Sequence, residues 1–157
     1  MLHLAYYIVM FACHLGLIGM NMWALFQARR LQQDRINPHD FASKLNALVV
    51  PEHMFQLATT IMLWAKGHYL LAIPACFVTW THVRQHMRGD AWLSPTDAFT
   101  RTKPIQAGRG IKQLLYVWSM VAVLYLLAED GVKDLVGWMH GYREKVPYRF
   151  SPDFQHL

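Results

Sequence analysis

The strongest constraint in this chain is where it lacks charge. No Asp, Glu, Lys or Arg occurs between Met1 and Ala28, and three further charge-free stretches follow at 53–65, 67–83 and 113–128. Charged residues make up only 16% of the chain, against roughly 25% in an ordinary soluble domain. Charge is absent where hydrocarbon would penalise it and concentrated between the stretches. This distribution predicts an integral membrane protein rather than a soluble helical bundle.

Segment lengths predict the number of crossings. Leu4 to Phe26 forms a helix of about 35 Å, enough for a hydrocarbon core of roughly 30 Å. Residues 45–83 would form about 58 Å of helix, which fits two crossings and not one. We place the turn between these two crossings at Ala65 to His68, where Gly67 permits a reversal of the chain.

A fourth crossing is predicted from about Ile111 to Ala128, with Lys112 extending towards the lipid head groups. The predicted fold class is therefore all-α, a polytopic membrane protein with four transmembrane helices. The chain divides into a membrane domain over residues 1–128 and an extension over residues 129–157.

The basic residues predict the orientation. Ten of the fifteen Lys and Arg residues fall in the two loops that an even number of crossings puts on one side. These ten are Arg29, Arg30, Arg35, Lys44, Arg84, Arg88, Arg101, Lys103, Arg109 and Lys112. Because cytosolic loops carry the excess of Lys and Arg, we expect both termini on the non-cytosolic side.

The first loop carries a recognisable block. Residues 36–52 read Ile-Asn-Pro-His-Asp-Phe-Ala-Ser-Lys-Leu-Asn-Ala-Leu-Val-Val-Pro-Glu. This block resembles the signature of the cornichon family, with its Ile-Asn-Pro start, Lys-Leu-Asn centre and Leu-Val-hydrophobic-Pro-Glu end. Residues 94–99, Ser-Pro-Thr-Asp-Ala-Phe, are similar to the family's Asp-Pro-Thr-acidic-Ile-Phe loop. The resemblance covers roughly residues 1–128.

The resemblance implies a function without catalysis. Cornichon proteins are small four-segment proteins of the early secretory pathway that load transmembrane cargo into coated vesicles, and some remain as auxiliary subunits of channels. The expected protein is thus a cargo receptor or auxiliary subunit in the endoplasmic reticulum and Golgi. Its expected partners are transmembrane proteins, membrane lipids and vesicle coat proteins.

The resemblance also implies two sets of site residues. Asn46, Leu48, Pro51 and Glu52 match the family block and are candidates for partner or cargo binding. Their alternative is structural, with Pro51 in the first turn of a helix and Glu52 complementing the helix dipole.

The second set is the predicted coat-binding loop, Thr96, Asp97, Phe99 and Arg101. Thr100-Arg101-Thr102 stands here where fungal relatives have Arg-Thr-Leu. Docking of Phe99 onto the membrane surface is therefore an equal alternative to coat contact.

The extension departs from the family. Val132, Leu135, Val136 and Met139 recur at the spacing of a one-sided apolar helix. An extended aromatic end follows, and we expect docking on a partner through Trp138, Tyr142, Tyr148, Phe150 and Phe154. This extension supports an alternative function, that of an accessory structural subunit of a larger membrane complex, in an organellar inner membrane such as the mitochondrial one.

Other chemistry is not predicted. His53, His82 and His86 fall near one edge of the membrane, but no recognised zinc or haem spacing accompanies them, so neither a metal nor a cofactor is expected. A small membrane redox carrier is therefore the weakest interpretation. The basic pI of about 9.4 follows from the loop charges without any nucleic-acid partner.

Overall fold

The computed structural model describes the backbone of residues 2–145 and the side chains of residues 4–139. Within this range every regular element is helical, which confirms the all-α prediction. The elements are α1 (Leu2–Gln32), α2 (Pro38–Ala65), α3 (Tyr69–Met87), a short 3₁₀ helix (Pro95–Asp97) and α4 (Ala98–Lys145).

The boundaries of α2 follow from local chemistry. Asn37 caps its start, since its side chain accepts a hydrogen bond of 3.0 Å from the backbone N–H of His39, and Pro38 takes the first helical position. The helix ends at Ala65, and Gly67 adopts a left-handed φ of 74° in the turn before α3. The predicted reversal at residues 65–68 is confirmed.

One predicted boundary is wrong. The structural alternative for the family block puts Pro51 in the first turn of a helix, but it lies inside α2, far from the start at Pro38. The stronger start signal is the Asn37 cap followed by proline, and α2 continues through Pro51.

Successive helices run antiparallel, with α1 packed between α4 and α2. Along α1, His14 Nε2 lies 2.8 Å from Ser119 Oγ, and Gln32 donates a hydrogen bond of 3.0 Å to Gln106. Near the start of α1, a Cβ at Gly131 would lie 3.9 Å from Leu4. The beginning of α1 and the late part of α4 therefore lie at the same end of the bundle.

The interior contains several polar side chains. The buried polar side chains are His14, Asn21, Gln27, Glu52, Gln56, Thr59, Thr60, His82 and Thr102. Outward positions instead carry large apolar side chains, including Met54 and Ile61 on α2, and Phe77 and Trp80 on α3. Large apolar side chains on outward faces are expected of helices that pack in an apolar environment.

Hydropathy alone identifies two spans. Leu4–Gln32 and Pro95–Met139 are long and apolar enough to cross a membrane by length and composition, within the described residues. The mean hydropathy of α2 is lowered by Gln56, Thr59 and Thr60, which face inward. Residues 129–145 continue α4 without a break at Ala128.

Candidate partner-binding surface and its charged core

A buried ion cluster joins α2 to α4. Glu52 has a side chain only 3% exposed, and its Oε2 accepts a hydrogen bond of 3.1 Å from Arg109 Nη1. Its other oxygen, Oε1, lies 3.5 Å from Lys112 Nζ. Arg109 and Lys112 are themselves 12% and 15% exposed. One carboxylate thus faces two cations in a poorly solvated position.

The cluster extends to α1. Asn21 donates hydrogen bonds of 2.8 Å both to the backbone carbonyl of Arg109 and to Gln113 Oε1. The Asn21 Oδ1 atom accepts one of 3.2 Å from Arg109 Nη1. Asn21 therefore fixes both the backbone and the side chain of Arg109, and the three longest helices meet at this layer.

This geometry corrects the prediction for Lys112. Its side chain was expected to extend towards the head groups, but it points to Glu52. On α4, Arg109 and Lys112 are three residues apart and share a helical face, so packing of that face against α2 brings both cations to the one carboxylate. A buried carboxylate requires such partners.

Three histidines converge beside the cluster. His82 Nε2 lies 3.7 Å from Glu52 Oε1, and the ring centroids of His53 and His82 are 4.3 Å apart. His86 lies further out, with its ring 6.2 Å from that of His53. Within the part of the chain that the structure describes, no group of three or more potential ligands could hold a metal ion.

The predicted partner-binding residues have different surroundings. Asn46 holds the segment after α3. Its side chain donates a hydrogen bond of 3.1 Å to the carbonyl of Leu93 and accepts one of 2.8 Å from the Leu93 N–H. Glu52 points inward to its cations, whereas Leu48 and Pro51 are half-buried. The structure therefore gives Asn46 and Glu52 internal partners and does not join the four side chains into one surface.

The predicted coat-binding residues lie near one another at the start of α4. Thr96 and Asp97 are exposed in the 3₁₀ helix, and Phe99 is 55% exposed in the first turn of α4. Arg101 is half-exposed and forms a surface ion pair of 3.2 Å with Asp90. An exposed aromatic ring and a basic side chain thus occur two residues apart at this end of the bundle.

The structure adds a groove that sequence reasoning missed. It has a volume of about 310 Å³ between α2 and α3 and opens on the outer face of the bundle. Apolar side chains dominate its wall, among them Val50, Met54, Leu57, Val83 and Met87. Only the pairing of α2 with α3 creates this surface, because the residues come from two segments separated by the turn.

Of the predicted tail residues, Trp138 is described and is 65% exposed on α4. The backbone of Tyr142 belongs to the last turns of α4. Tyr148, Phe150 and Phe154 lie outside the described residues.

Sequence reasoning also missed the ion cluster as a unit. The available signal was position, since Glu52 and Lys112 each immediately precede a charge-free stretch. Because successive helices run antiparallel, α2 and α4 run in the same direction, so opposite charges just before their charge-free stretches fall at the same depth. Pairing at that depth avoids exposing either charge to an apolar environment.

Comparison with known proteins identifies a family. The family model described as Cornichon protein matches residues 3–125. The chain belongs to the cornichon family. Protein cornichon homolog 3 of Arabidopsis thaliana is 31% identical over 128 residues, covering 82% of this chain and 93% of the relative.

Two further relatives show the breadth of the family likeness. Protein cornichon homolog 1 of Oryza sativa subsp. japonica is 30% identical over 117 residues, 71% of this chain and 79% of the relative. The ER-derived vesicles protein erv14 of Schizosaccharomyces pombe is 27% identical over 130 residues, 80% of this chain and 94% of the relative. No solved structure gives a significant match. The cornichon family match ends before the last part of α4.

Proposed function

We propose that this protein is a membrane cargo receptor or auxiliary subunit that binds transmembrane partners within the bilayer for transport from the endoplasmic reticulum to the Golgi. Membership of the cornichon family supports this role, as does similarity to a fission yeast protein named for vesicles derived from the endoplasmic reticulum. In the proposed topology, α1 to α4 each cross the membrane and both termini face away from the cytosol. The basic loops support that orientation.

The observation that carries the proposal is the apolar groove between α2 and α3. Of its polar lining residues, Gln56 and Thr79 hydrogen-bond to each other at 3.4 Å across the helix pair. The histidines His53, His82 and His86 also line the groove, but its exposed surface is mainly apolar. In lipid, helices associate by close packing rather than by expulsion of water. A groove therefore gives a partner helix more contact than a smooth helix face does.

The groove also contains the flexible side chains Met54 and Met87. Unbranched thioether side chains adapt to differently shaped surfaces, which suits a receptor that accepts more than one partner. Among the family-block residues, Leu48 and Pro51 are the better candidates for direct contact, because Glu52 and Asn46 are engaged internally.

Site-directed photo-crosslinking in cells tests the groove. A photoreactive amino acid at Met54 or Leu57 is expected to capture transmembrane cargo, because both side chains line the groove. Val121 and Leu124 are matched controls, since they are exposed apolar residues on α4 and do not line it. Equal capture of the same proteins from both pairs of positions would contradict the groove as the binding surface.

Coat contact through Phe99 requires a separate test. In a vesicle-budding assay with purified coat, Phe99→Ala is expected to reduce incorporation of the protein into vesicles, whereas Thr100→Ala, at the adjacent exposed position, is not. If Phe99→Ala instead reduces binding of a peptide of residues 94–103 to lipid vesicles and leaves budding intact, membrane docking replaces coat contact.

The last part of α4 favours the second candidate, a fixed accessory subunit of a larger complex. Its exposed apolar side chains are Val132, Leu135, Val136, Trp138 and Met139. Truncation after Asp130 is expected to release the protein from such a complex on native gels. Retention of the complex after truncation would eliminate tail anchoring, and co-purification of changing cargo in place of one fixed assembly would favour the receptor.

A further inference from the structure

A second cavity lies between α2, the segment after α3 and α4, and has a volume of about 410 Å³. This volume falls within the range of small-molecule sites, roughly 300–1,000 Å³. Its α4 wall is a single helical face, because the lining residues are spaced by three or four positions. These residues are Arg101, Pro104, Ile105, Gly108, Arg109 and Lys112.

The charges of this cavity do not balance. Arg101, Arg109 and Lys112 line it, and among the described lining residues the carboxylate is that of Asp90, which pairs with Arg101 at 3.2 Å. Behind the wall, Glu52 alone neutralises both Arg109 and Lys112. Three cations against two carboxylates leave one positive charge uncompensated, at a place where solvation is poor.

The remaining wall has an apolar part beside Asn46 and Gln85 and lies at the level of the membrane edge. Leu45, Val49 and Leu93 line the same cavity, and Leu45 is the residue at which the second crossing is predicted to begin. An occupant that matches both walls has an anionic group for the cations and a short apolar portion for the leucines and valine. A phosphate suits the charged wall, because a guanidinium can bind two of its oxygens and an ammonium a third.

We propose that this cavity binds the phosphate group of an anionic glycerophospholipid from the membrane leaflet adjoining the basic loops. The basic loops attract such lipids to this surface, and the cavity holds one of them in register with Arg109 and Lys112. Binding completes the charge balance of the cluster that joins α2 to α4. The inference depends on membrane embedding and not on cargo transport, so the two proposals can fail independently.

Lipid binding by the purified full-length protein in mild detergent tests the proposal. Dioctanoyl phosphatidic acid is expected to bind saturably, whereas dioctanoylglycerol, which lacks the phosphate, and dioctanoyl phosphatidylcholine, which has no net charge, are expected to bind at least about fivefold more weakly. The affinity for inorganic phosphate measures how much the anionic group contributes to binding without the apolar portion. Native mass spectrometry reports the stoichiometry, expected to be one lipid per chain.

Matched variants locate the site. Lys112→Gln removes the excess charge but leaves Glu52 paired with Arg109, and is expected to weaken binding at least about fivefold. Its control, Lys103→Gln, removes an exposed charge that does not line the cavity. Gly108→Leu is expected to fill the space, since a Cβ at Gly108 meets no atom within 4 Å. Its control, Gly110→Leu, has the same clearance but does not line the cavity.

The proposal is supported if Lys112→Gln and Gly108→Leu lose phosphatidic acid while both controls retain it, with melting temperatures that show all four variants folded. Equal binding by all variants would place the lipid elsewhere. Inorganic phosphate binding as tightly as phosphatidic acid would identify a soluble anion as the ligand. Equal affinity for phosphatidylcholine would exclude recognition of charge.

Discussion

Glu52 is the residue on which the charge balance of the interior depends. Its carboxylate accepts from Arg109 and lies beside Lys112, while its side chain is almost completely buried. Removing one member of a buried charge cluster destabilises the folded state by far more than the intact cluster stabilises it. The reason is that the remaining charges lose their counter-charge. The three helices that meet here should therefore be sensitive to this one position.

Glu52→Gln is expected to lower the free energy of unfolding by about 3–5 kcal/mol, since two cations are left without a carboxylate. Unfolding in mixed micelles of mild detergent and dodecyl sulfate measures the change. Asp90→Asn is the matched control, because the Asp90–Arg101 pair is half-exposed and should contribute about 0–1 kcal/mol. A loss for Glu52→Gln no larger than for the control would show that the cluster is well solvated.

Asn46 performs a local task that its place in the family block does not reveal. Its amide holds both the N–H and the carbonyl of Leu93, so one side chain fixes the backbone of the segment between α3 and α4. Leu93 then packs with Phe41 and Ala98 in a small apolar cluster. The segment that carries the predicted coat-binding residues is thereby attached to α2.

Asn46→Ala should leave the N–H and carbonyl of Leu93 without these partners. At a half-buried site this is expected to lower the free energy of unfolding by about 1–3 kcal/mol. Hydrogen–deuterium exchange over residues 90–98 is expected to accelerate while exchange in α1 stays unchanged. Ser43→Ala, an exposed substitution on the same helix, provides the comparison. Unaltered exchange in Asn46→Ala would mean that the segment is held by apolar packing alone.

At the scale of single elements, α2 and α3 decide how many times the chain crosses the membrane. Their hydropathy does not identify them as spans, yet their outward faces carry Phe77, Trp80 and Met54. Polar residues such as Gln56 face inward, where Thr60, Thr79 and the carbonyl of Ala75 satisfy them. A helix whose polar groups are satisfied by neighbouring helices can cross a bilayer at a low average hydropathy.

Thiol labelling distinguishes two crossings from four. In a background of Cys13→Ala and Cys76→Ser, a cysteine at Phe77 is expected to resist an impermeant maleimide, because lipid covers that position. A cysteine at Arg88, exposed at the end of α3, is expected to react in opened vesicles. Reaction of both cysteines at similar rates would place α3 in water and eliminate four crossings.

At the scale of the whole molecule, antiparallel packing puts the start of α1 beside the late part of α4. Leu4 lies beside Gly131 at one end of the bundle, while the segments that join α1 to α2 and α3 to α4 meet at the other through Leu31, Leu45 and Leu93. The basic residues concentrate at this second end. Because the basic residues of both loops lie at this one end, they favour the same orientation of the bundle in the membrane.

Glycosylation tags report this orientation. A tag at either terminus is expected to be modified in the lumen of the endoplasmic reticulum, and a tag inserted after Gly89 is expected to remain unmodified. Gly89 is an exposed position in the turn after α3, so an insertion there disturbs little packing. Modification of only one terminal tag would require an odd number of crossings and overturn the proposed topology.

The sequence by itself determined the membrane class, the all-helical fold, the reversal at Gly67 and the family, because charge-free stretches, turn residues and a contiguous motif are local signals. Tertiary structure decided which way each polar side chain points. Lys112 turns to Glu52 instead of the head groups, because a neighbouring helix supplies a partner that a single segment lacks. Pro51 lies inside α2 and not at its start. The groove and the charged cavity exist only where separate helices meet.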